Sequence, residues 1–427
     1  MDAKARPDQL REATNPLFNT RKLKLGTFCS NLSGGCAISS IDGVLEATWP
    51  DTLALARMGD EMEFEALVPV GRWKGFGGVT NFNGQGFESF SWASAIGAST
   101  RYPGIFATSH VPTIHPVMAA KQAATIDHVT GGRFNLNVVT GWYKPEIEMF
   151  GEEQLEHDTR YERAIEWLEI IKLLWTREEE FDYEGRFYQI KKGWLQPKPI
   201  QKPYPVVMNA GGSDKGRHYA AKYCDVAFIV LQSHKFEDVR AHVERYRKFA
   251  RDEYGREIQV WTNAYVVQGE TEADAKKFFD YYVHEKGDWV AVDNLTTTLG
   301  INAQTMPPGV AHQLKAHFIA GWAGYPIVGT KEKVVDELAT LARAGFDGVI
   351  LSWAKFVEQM QEFQQVSAGG AGGAAIGHRA SLAPDAGRSR ARARFPKACP
   401  LSGHRERPCY GCGPERLTSR SARKTLL

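Results

Sequence analysis

Eight short apolar segments of strand length recur along this chain, and helix-like segments separate them. The apolar segments are Leu23–Asn31, Phe64–Val70, Gly104–His110, Phe134–Gly141, Pro205–Gly211, Val226–Gln232, Val260–Val267 and Gly348–Trp353. The intervening helical patterns include Phe87–Thr100, Pro116–Val129, Arg160–Trp175, Asp214–Cys224, Phe236–Tyr254 and Lys331–Ala344. Apolar strands joined by helical crossovers predict a parallel sheet covered on both faces. Eight such units over about 350 residues predict an α/β fold, a (β/α)8 TIM barrel with insertions.

The segment Arg160–Trp175 shows the helical periodicity well. Its apolar residues recur at intervals of three or four, the spacing of one buried helix face, and they are Ala164, Leu168, Ile171 and Trp175. Asp158 lies just before this segment and is the predicted N-cap.

A doubly wound parallel sheet is the main alternative fold. Its nucleotide-binding form carries G-x-G-x-x-G directly after the first strand. Here the first predicted strand is followed by SNLSGGCAISS, which does not fit that pattern. The barrel is therefore the favoured fold.

We divide the chain into an N-terminal extension (residues 1–20), a barrel domain (21–365) and a C-terminal tail (366–427). Within the barrel domain, Glu270–Gly324 is too long for a simple connection. Its first part, EADAKKFFDYYVHEKGDW, reads as helix, and Asn294–Gly309 reads as a polar, irregular loop. We predict that this insertion is a lid over the active-site face of the barrel.

The tail differs in composition from the rest of the chain. It carries 12 Lys and Arg residues but only three acids, a net charge of +9, so the other 365 residues carry −7. Its low apolar content predicts a disordered, low-complexity basic segment. Such a basic segment would ordinarily suggest contact with nucleic acid. We favour instead a reading-frame change near Gln365–Ser367, because a composition rich in Arg, Ala, Gly and Pro is typical of GC-rich DNA read out of frame. We therefore keep the tail out of any inference about partners and expect no nucleic-acid partner.

Several functional classes lack support in the sequence. No window reaches the roughly 18 consecutive apolar residues of a membrane helix, and the N-terminus lacks the apolar core of a signal peptide. We therefore expect no membrane partner and a cytoplasmic protein with reduced thiols. Cys409 and Cys412 form a C-x-x-C without a second pair at zinc spacing.

We predict no metal site. The chain lacks H-E-x-x-H, and His110 and His115 have no Cys or carboxylate pair at ligand spacing. His115 directly precedes Pro116 and is read as a helix-entry residue.

Two glycine-rich turns follow predicted strands. Ala210–Asp214 joins a strand to a helix, and its glycines and Ser213 would bring amide and hydroxyl donors to an anion such as phosphate. The alternative interpretation is that the glycines of this turn are required for steric reasons alone. Gly75–Gly78 is read as a tight turn rather than a flexible substrate loop.

Taken together, three strings resemble the luciferase-like, flavin-dependent monooxygenase family. They are ATIDHVTGGRFNLNVVTGW, EHDTRYERAIEWLEIIKLLW and NAGGSD, and the resemblance runs from about Leu23 to Gln365. Within this family, RWKGFGG and VVTGWYKPEIEMFG resemble the pyrimidine monooxygenases. NLSGG and EHDTRYER resemble the dimethylsulfone monooxygenases, and the alkanesulfonate monooxygenases are similar more distantly.

The resemblance implies a barrel enzyme that uses reduced FMN (FMNH2) supplied by a separate NAD(P)H-dependent flavin reductase. With O2, such an enzyme inserts one oxygen atom into a small polar organic molecule. The resemblance also implies a homo-oligomer. Two alternatives stay open: a deazaflavin (F420)-dependent dehydrogenase of the same superfamily, and a non-catalytic flavin-binding protein.

The resemblance also implies site residues. Flavin contacts would be made by residues from the strand ends and following segments, namely Gly71, Arg72, Asn137, Glu146, Arg160, Tyr161 and Ser213. In that set Ser213 and Arg160 would hold the phosphate, and Glu146 would accept hydrogen bonds from ribityl hydroxyls. Thr108 and Asn137 match the positions that frame an oxygen pocket beside the flavin, and we predict that both are catalytic.

One departure from the pyrimidine enzymes concerns the substrate. Gly71-Arg72 stands where those enzymes carry Ile-Lys ahead of the GFGG turn. A planar guanidinium replaces a point charge there. We expect Arg72 to suit a sulfonyl, carboxylate or imide oxygen, which leaves sulfones, sulfonates and cyclic amides as candidate substrates.

Overall fold

Eight parallel strands close into a barrel in the computed structural model, which describes residues 7–301 and 306–368. The described residues contain eleven strands, of which eight form the barrel. The eleven strands are β1 (Lys24–Phe28), β2 (Ala66–Val68), β3 (Gly104–His110), β4 (Phe134–Val139), β5 (Phe181–Glu184), β6 (Gln189–Gly193), β7 (Val206–Asn209), β8 (Val226–Phe228), β9 (Gln259–Gln268), β10 (Tyr325–Gly329) and β11 (Gly348–Ser352). The barrel order is β1-β2-β3-β4-β7-β8-β9-β11, and β11 pairs with β1. Each predicted strand corresponds to one barrel strand, and the ring closure excludes the doubly wound sheet.

Helices cover the outside of the barrel. They are α1 (Pro7–Thr14), α2 (Trp49–Glu61), α3 (Ser89–Ser99), α4 (Pro116–Val129), α5 (Lys144–Met149), α6 (His157–Thr176), α7 (Asp214–Tyr223), α8 (Phe236–Tyr254), α9 (Glu272–Asp280), α10 (Trp289–Thr298), α11 (Pro308–Gly321), α12 (Lys331–Ala344) and α13 (Phe356–Ala368). All four residues of the predicted α6 face are buried. The predicted N-cap of α6 is wrong, because the helix begins one turn earlier and the Glu156 side chain accepts from the Asp158 and Thr159 amides.

The N-terminal extension packs against the barrel. Leu17 is fully buried within the cluster that fills the barrel interior, together with Phe106 and Trp261. The Asn15 side-chain amide donates to Asn135 Oδ1 and to Gln201 Oε1. The described part of residues 1–20 therefore closes the barrel at the end opposite the carboxyl ends of the strands.

The insertion is more helical than the sequence suggests. It contains α9, a π-helical turn Tyr281–Glu285, α10 and α11. The predicted irregular loop Asn294–Gly309 is partly wrong, because Asn294–Thr298 form the end of α10 and Pro308 begins α11. Leu295 and Thr296 are buried, so packing stabilises a helix end whose threonines have low helix propensity.

Two β elements were not predicted. β5 and β6 form an antiparallel hairpin after α6. β10 pairs in parallel with the carboxyl half of β9, outside the barrel ring.

The predictions for the tail fall mostly outside the described residues. α13 continues to Ala368, and residues 369–427, including Cys409 and Cys412, are not described. Within residues 7–301 and 306–368, no helix combines the length and apolar character needed to cross a bilayer.

Candidate active site

A cavity of about 990 Å³ opens at the carboxyl ends of β4, β7 and β8. This is the end of a barrel at which active sites lie, and the volume is at the upper limit of ordinary ligand pockets. Val138 and Val139 end β4 and Thr140 follows them, Asn209 ends β7 and Ala210 follows it, and Ile229–Ser233 follow β8. The insertion supplies another part of the lining.

The ionisable side chains of the described lining, tyrosines aside, all come from α6, α7 and α8. They are His157, Arg160, Arg217, Asp238, His242 and Arg245. The pKa of His242 is lowered by burial and by the positive charges of Arg245 and Arg217. Since Asp238 is the single acid of this set, the cavity is electropositive where these helices meet it.

The turn before α7 has the features of an anion site. Ser213 is the N-cap of α7, and its Oγ accepts a hydrogen bond from the Gly216 amide at 3.0 Å. A Cβ on Gly211 would lie 2.5 Å from Gly216 Cα, so Gly211 is required for steric reasons. A Cβ on Gly212 would meet no atom within 4 Å, so its backbone is accessible from the cavity side. The steric and the anion-binding interpretations therefore apply to different glycines of the same turn.

Arg160 and Tyr161 lie beside this turn, as the sequence predicts. Arg160 Nη1 donates to the Gly141 carbonyl oxygen at 2.7 Å, which orients the guanidinium toward the end of β4. The Tyr161 ring is buried against Tyr219, and its hydroxyl lies where a Cβ on Gly216 would approach within 2.6 Å. Burial raises the pKa of Tyr161, and Ser213 is its hydrogen-bonding neighbour. Both residues and Ser213 line the cavity.

Thr108 and Asn137 are brought together by the pairing of β3 and β4. The two residues are register partners, and Asn137 Nδ2 donates to Thr108 Oγ1 at 3.1 Å. Both side chains are buried, and Asn137 precedes the cavity-lining Val138. The two residues predicted to be catalytic therefore lie together, at the edge of the cavity rather than in its described lining.

Gly71, Arg72 and Glu146 lie outside the described lining of the cavity. The Glu146 side chain is 0% exposed, and Arg72 Nη1 contacts its Oε2 at 3.2 Å. Glu146 Oε1 accepts from the Trp73 and Lys74 amides at 2.6 and 3.0 Å. Because Glu146 is fully buried and lies outside the described lining, its role as an acceptor of ribityl hydroxyls stays a prediction. Its observed contacts fix the backbone that follows β2.

His110 is buried beside Arg72 and Glu146, a contact that was not predicted from the sequence. Its Nδ1 lies 3.8 Å from Glu146 Oε2. Burial and the positive charge of Arg72 nevertheless lower the pKa of His110 to about 3. The imidazole is therefore neutral at ordinary pH. His115, by contrast, is the N-cap of α4, which confirms its interpretation as a helix-entry residue.

Trp142, Phe318 and Trp322 form what we call the aromatic wall of the cavity. Trp142 and Trp322 rings contact edge to face at a centroid distance of 6.4 Å, and Phe318 lies 6.5 Å from Trp322. Trp322 ends α11 in the left-handed conformation, with φ 53°, which bulky residues rarely adopt. Such backbone strain is concentrated at functional sites.

The turn after β2 ties the aromatic wall to the insertion. Phe76 stacks on Trp142 at 6.1 Å, and its carbonyl oxygen accepts from Asn294 Nδ2 at 2.7 Å. Asp288 accepts from the Thr80 amide and hydroxyl at 2.8 Å each. A Cβ on Gly78, with φ 72°, would collide with the Asp288 carboxylate, which supports the tight-turn interpretation of Gly75–Gly78.

Sequence reasoning missed the contribution of α8, α11 and the end of β8. The barrel rule, applied to the carboxyl end of the sixth barrel strand, would have identified Leu231, Gln232 and Ser233. No comparable signal identifies Phe318 or Trp322, because their position depends on how the insertion folds. Within the described residues, no group of three or more His, Cys, Asp and Glu side chains is placed to hold a metal ion.

Comparisons with known proteins agree with this architecture. The sequence profile of the luciferase-like monooxygenase family matches residues 23–348. An FMNH(2)-dependent dimethylsulfone monooxygenase of Pseudomonas putida is 28% identical over 349 residues, covering 81% of this chain and 94% of that protein. The pyrimidine monooxygenase RutA of Serratia proteamaculans (strain 568) is 28% identical over 352 residues, covering 80% and 93%.

A solved structure shares the fold. The crystal structure of long-chain alkane monooxygenase (LadA) superposes with a TM-score of 0.70 at 21% identity, covering 81% of this chain and 90% of that one. The family profile matches most of the chain, and its match spans every barrel strand up to the start of β11. The chain therefore belongs to the luciferase-like monooxygenase family.

Proposed function

We propose that this protein is a two-component monooxygenase that uses FMNH2 and O2 to insert one oxygen atom into a small polar organic substrate. The observation that carries the proposal is the division of one cavity into two chemically different parts. An electropositive part surrounds the N-terminus of α7, and an uncharged aromatic wall comes largely from the insertion. A phosphorylated cofactor and a second small molecule fit such a lining.

The residues present fit a flavin phosphate. The Nε atoms of Arg160 and Arg217 are buried and have no hydrogen-bond partner among the described residues. An anionic group beside Ser213 would supply acceptors for these guanidinium groups, and the N-terminus of α7 favours negative charge. We infer that Ser213 and Arg160 hold the phosphate; Arg217 lines the same cavity, and its Nη2 pairs with Asp214.

When bound, the reduced flavin supplies the electrons that activate O2. The protein binds, orients and encloses the reactants. Thr108 and Asn137 present a polar pair beside the cavity, and we propose that Asn137 Oδ1, which has no hydrogen-bond partner among the described residues, accepts from the polar edge of the flavin or a reactant. Residues of the insertion line the aromatic side of the cavity, and we propose that the insertion acts there as a lid that excludes water.

FMNH2 must come from a reducing partner, so we propose an NAD(P)H-dependent flavin reductase in the same compartment, the cytoplasm. We also retain the prediction of a homo-oligomer, which light scattering on the purified protein would test. The candidate substrates are sulfones, sulfonates and cyclic amides.

The test is an anaerobic titration with FMNH2 followed by a reconstituted reaction with a flavin reductase, NADH, FMN and 18O2. We expect micromolar binding of FMNH2 and a product that carries one 18O atom, detected by mass spectrometry. Failure to bind FMNH2 would overturn the proposal. Binding without coupled product formation would support the flavin-binding protein instead, and reduction of bound deazaflavin by an alcohol would support the dehydrogenase.

A further inference from the structure

Resting on the function proposed above, we infer that the substrate is an uncharged small molecule held against the aromatic wall, and that Arg72 is a positioning residue for this wall. Arg72 is the cation that stacks on Trp142 of the wall, so its state bears on whether this side of the cavity attracts anions. The structure gives it a different task from the one predicted from sequence.

The charge of Arg72 is already neutralised within the protein. Its side chain is 2% exposed and contacts Glu146, which is 0% exposed. Arg72 also lies outside the described lining of the cavity, and an anion could reach its guanidinium only by displacing the surrounding rings of Phe76, Trp142 and Tyr143. Arg72 is therefore not available to a sulfonate or carboxylate group.

The rest of the wall supplies no compensating charge. The insertion contributes Thr298, Leu299, Ile301, Phe318 and Trp322 to the described lining, and Trp142 completes the wall. The charged side chains of the described lining lie on α6, α7 and α8, where we place the cofactor phosphate. An anion bound against the aromatic wall would lose hydration without gaining a partner, whereas an uncharged molecule would not incur this cost.

Arg72 acts on the wall by stacking. Its Cζ lies 5.1 Å from the ring centroid of Trp142, 5.0 Å from that of Phe76 and 5.3 Å from that of Tyr143. Of these rings, Trp142 lines the cavity. The planar guanidinium therefore holds the indole in place from behind, a task for which the point charge of lysine is poorly suited.

The first experiment measures binding by saturation-transfer-difference NMR on the full chain loaded with FMN. The ligands are neutral and anionic compounds of matched skeleton: dimethyl sulfone with methanesulfonate, uracil with orotate, and benzamide with benzoate. We expect transfer to a neutral member that weakens in Trp322→Phe and persists in Trp194→Phe, because Trp194 is 55% exposed outside the cavity lining. Transfer to the anionic members only, or to none of the ligands, would overturn the inference.

The second experiment separates positioning from charge. In Arg72→Lys the buried charge and its pairing with Glu146 are kept but planar stacking is lost, so we expect KM to rise on the order of tenfold with a smaller change in kcat. The double variant Arg72→Met/Glu146→Gln removes both buried charges and should show the same pattern. Arg101→Lys, at a side chain 94% exposed, is the matched control.

Wild-type kinetics in Arg72→Lys, or loss of anion turnover in the double variant, would show that Arg72 is a charge receptor and would overturn the inference. The affinity for FMNH2 is measured for every variant. Failure of the wild-type protein to bind FMNH2 would refute the proposed function itself. Normal FMNH2 binding together with a preference for anionic substrates would refute only this inference.

Discussion

Asn137 Nδ2 donates to Thr108 Oγ1 at 3.1 Å, and Thr108 Oγ1 in turn donates to the Pro69 carbonyl oxygen at 2.5 Å. The Thr108 amide is held as well, since it donates to Ser89 Oγ at 2.6 Å. This chain of hydrogen bonds links the ends of β2, β3 and β4 and fixes the orientation of the Asn137 amide. Asn137 Oδ1 is thereby left as the free acceptor of the pair.

We expect Asn137→Ala to lower product formation on the order of 100-fold, because one oriented polar group is lost at the reacting centre. Binding of FMNH2 should weaken much less, since the phosphate contacts are untouched. Thr108→Val should reproduce much of the defect by releasing Asn137, and Thr108→Ser should retain activity because the hydroxyl remains. Steady-state product formation and anaerobic FMNH2 titration measure both effects. Unchanged turnover in Asn137→Ala would remove this residue from the mechanism.

A second prediction concerns the buried pair of Arg72 and Glu146. Glu146→Ala should destabilise the protein by about 3–5 kcal/mol, because it leaves a buried guanidinium uncompensated. The double variant Arg72→Met/Glu146→Gln should recover most of this loss, since no buried charge remains and Gln still accepts from the Trp73 and Lys74 amides.

Urea unfolding of the single and double variants measures this coupling. The control is Glu148→Ala, which breaks the exposed pair with Lys144 and should change stability by about 0.5 kcal/mol or less. A Glu146→Ala variant as stable as the control would contradict the assigned role of the buried pair.

The barrel was predictable because its strands are short, apolar and separated by amphipathic helices. β10 was not, since Tyr325–Gly329 lies at the edge of the sheet with Pro326 and Val328 only partly buried, and its pairing with β9 depends on tertiary structure. The β5–β6 hairpin was missed because Gln189–Gly193 reads as a polar, exposed segment.

The site was partly predictable for a similar reason. Ser213 follows the end of β7 closely, and Arg160 and Tyr161 lie near the start of α6, the helix that leads away from the same end of the barrel, so their convergence is expected. The enclosure of Arg72 by aromatic rings and the neutral state of His110 depend on which side chains surround them. Trp322 reaches the cavity from a segment far along the chain, and its local sequence carries no sign of that contact.

A third prediction follows from the lowered pKa of His110. An unfolded histidine protonates near pH 6.5, whereas the folded pKa is about 3, so the unfolded state binds more protons between these values. The contribution of His110 to the free energy of unfolding is therefore fully present above pH 6.5 and falls as the pH decreases toward 3. The slope of this contribution against pH approaches about 1.4 kcal/mol per pH unit well below pH 6.5.

We expect His110→Gln to flatten the pH dependence of the unfolding free energy between pH 5 and 7. At pH 5.5 the contribution of His110 to the acid loss of the wild type is about 1.4 kcal/mol relative to pH 7.5. Urea unfolding at several pH values gives the slope directly. His128→Gln, at an exposed histidine of α4, is the control and should leave the slope unchanged. Identical slopes in His110→Gln and the wild type would show that this imidazole titrates normally.

The last prediction separates two roles of Ser213, which caps α7 and is proposed to bind the cofactor phosphate. Asp is as good an N-cap as Ser, so Ser213→Asp should leave the free energy of unfolding within about 0.5 kcal/mol of the wild type. The added carboxylate repels a phosphate, and we expect FMNH2 affinity to fall by about tenfold or more, as for a like charge in an anion site. Reduced riboflavin, which has no phosphate, should bind both proteins equally. Thr330→Asp changes the N-cap of α12 outside the cavity lining and controls for the substitution itself. If Ser213→Asp weakened riboflavin as much as FMNH2, the carboxylate would be distorting the cavity rather than repelling a phosphate, and the phosphate would have to be placed elsewhere in the electropositive part.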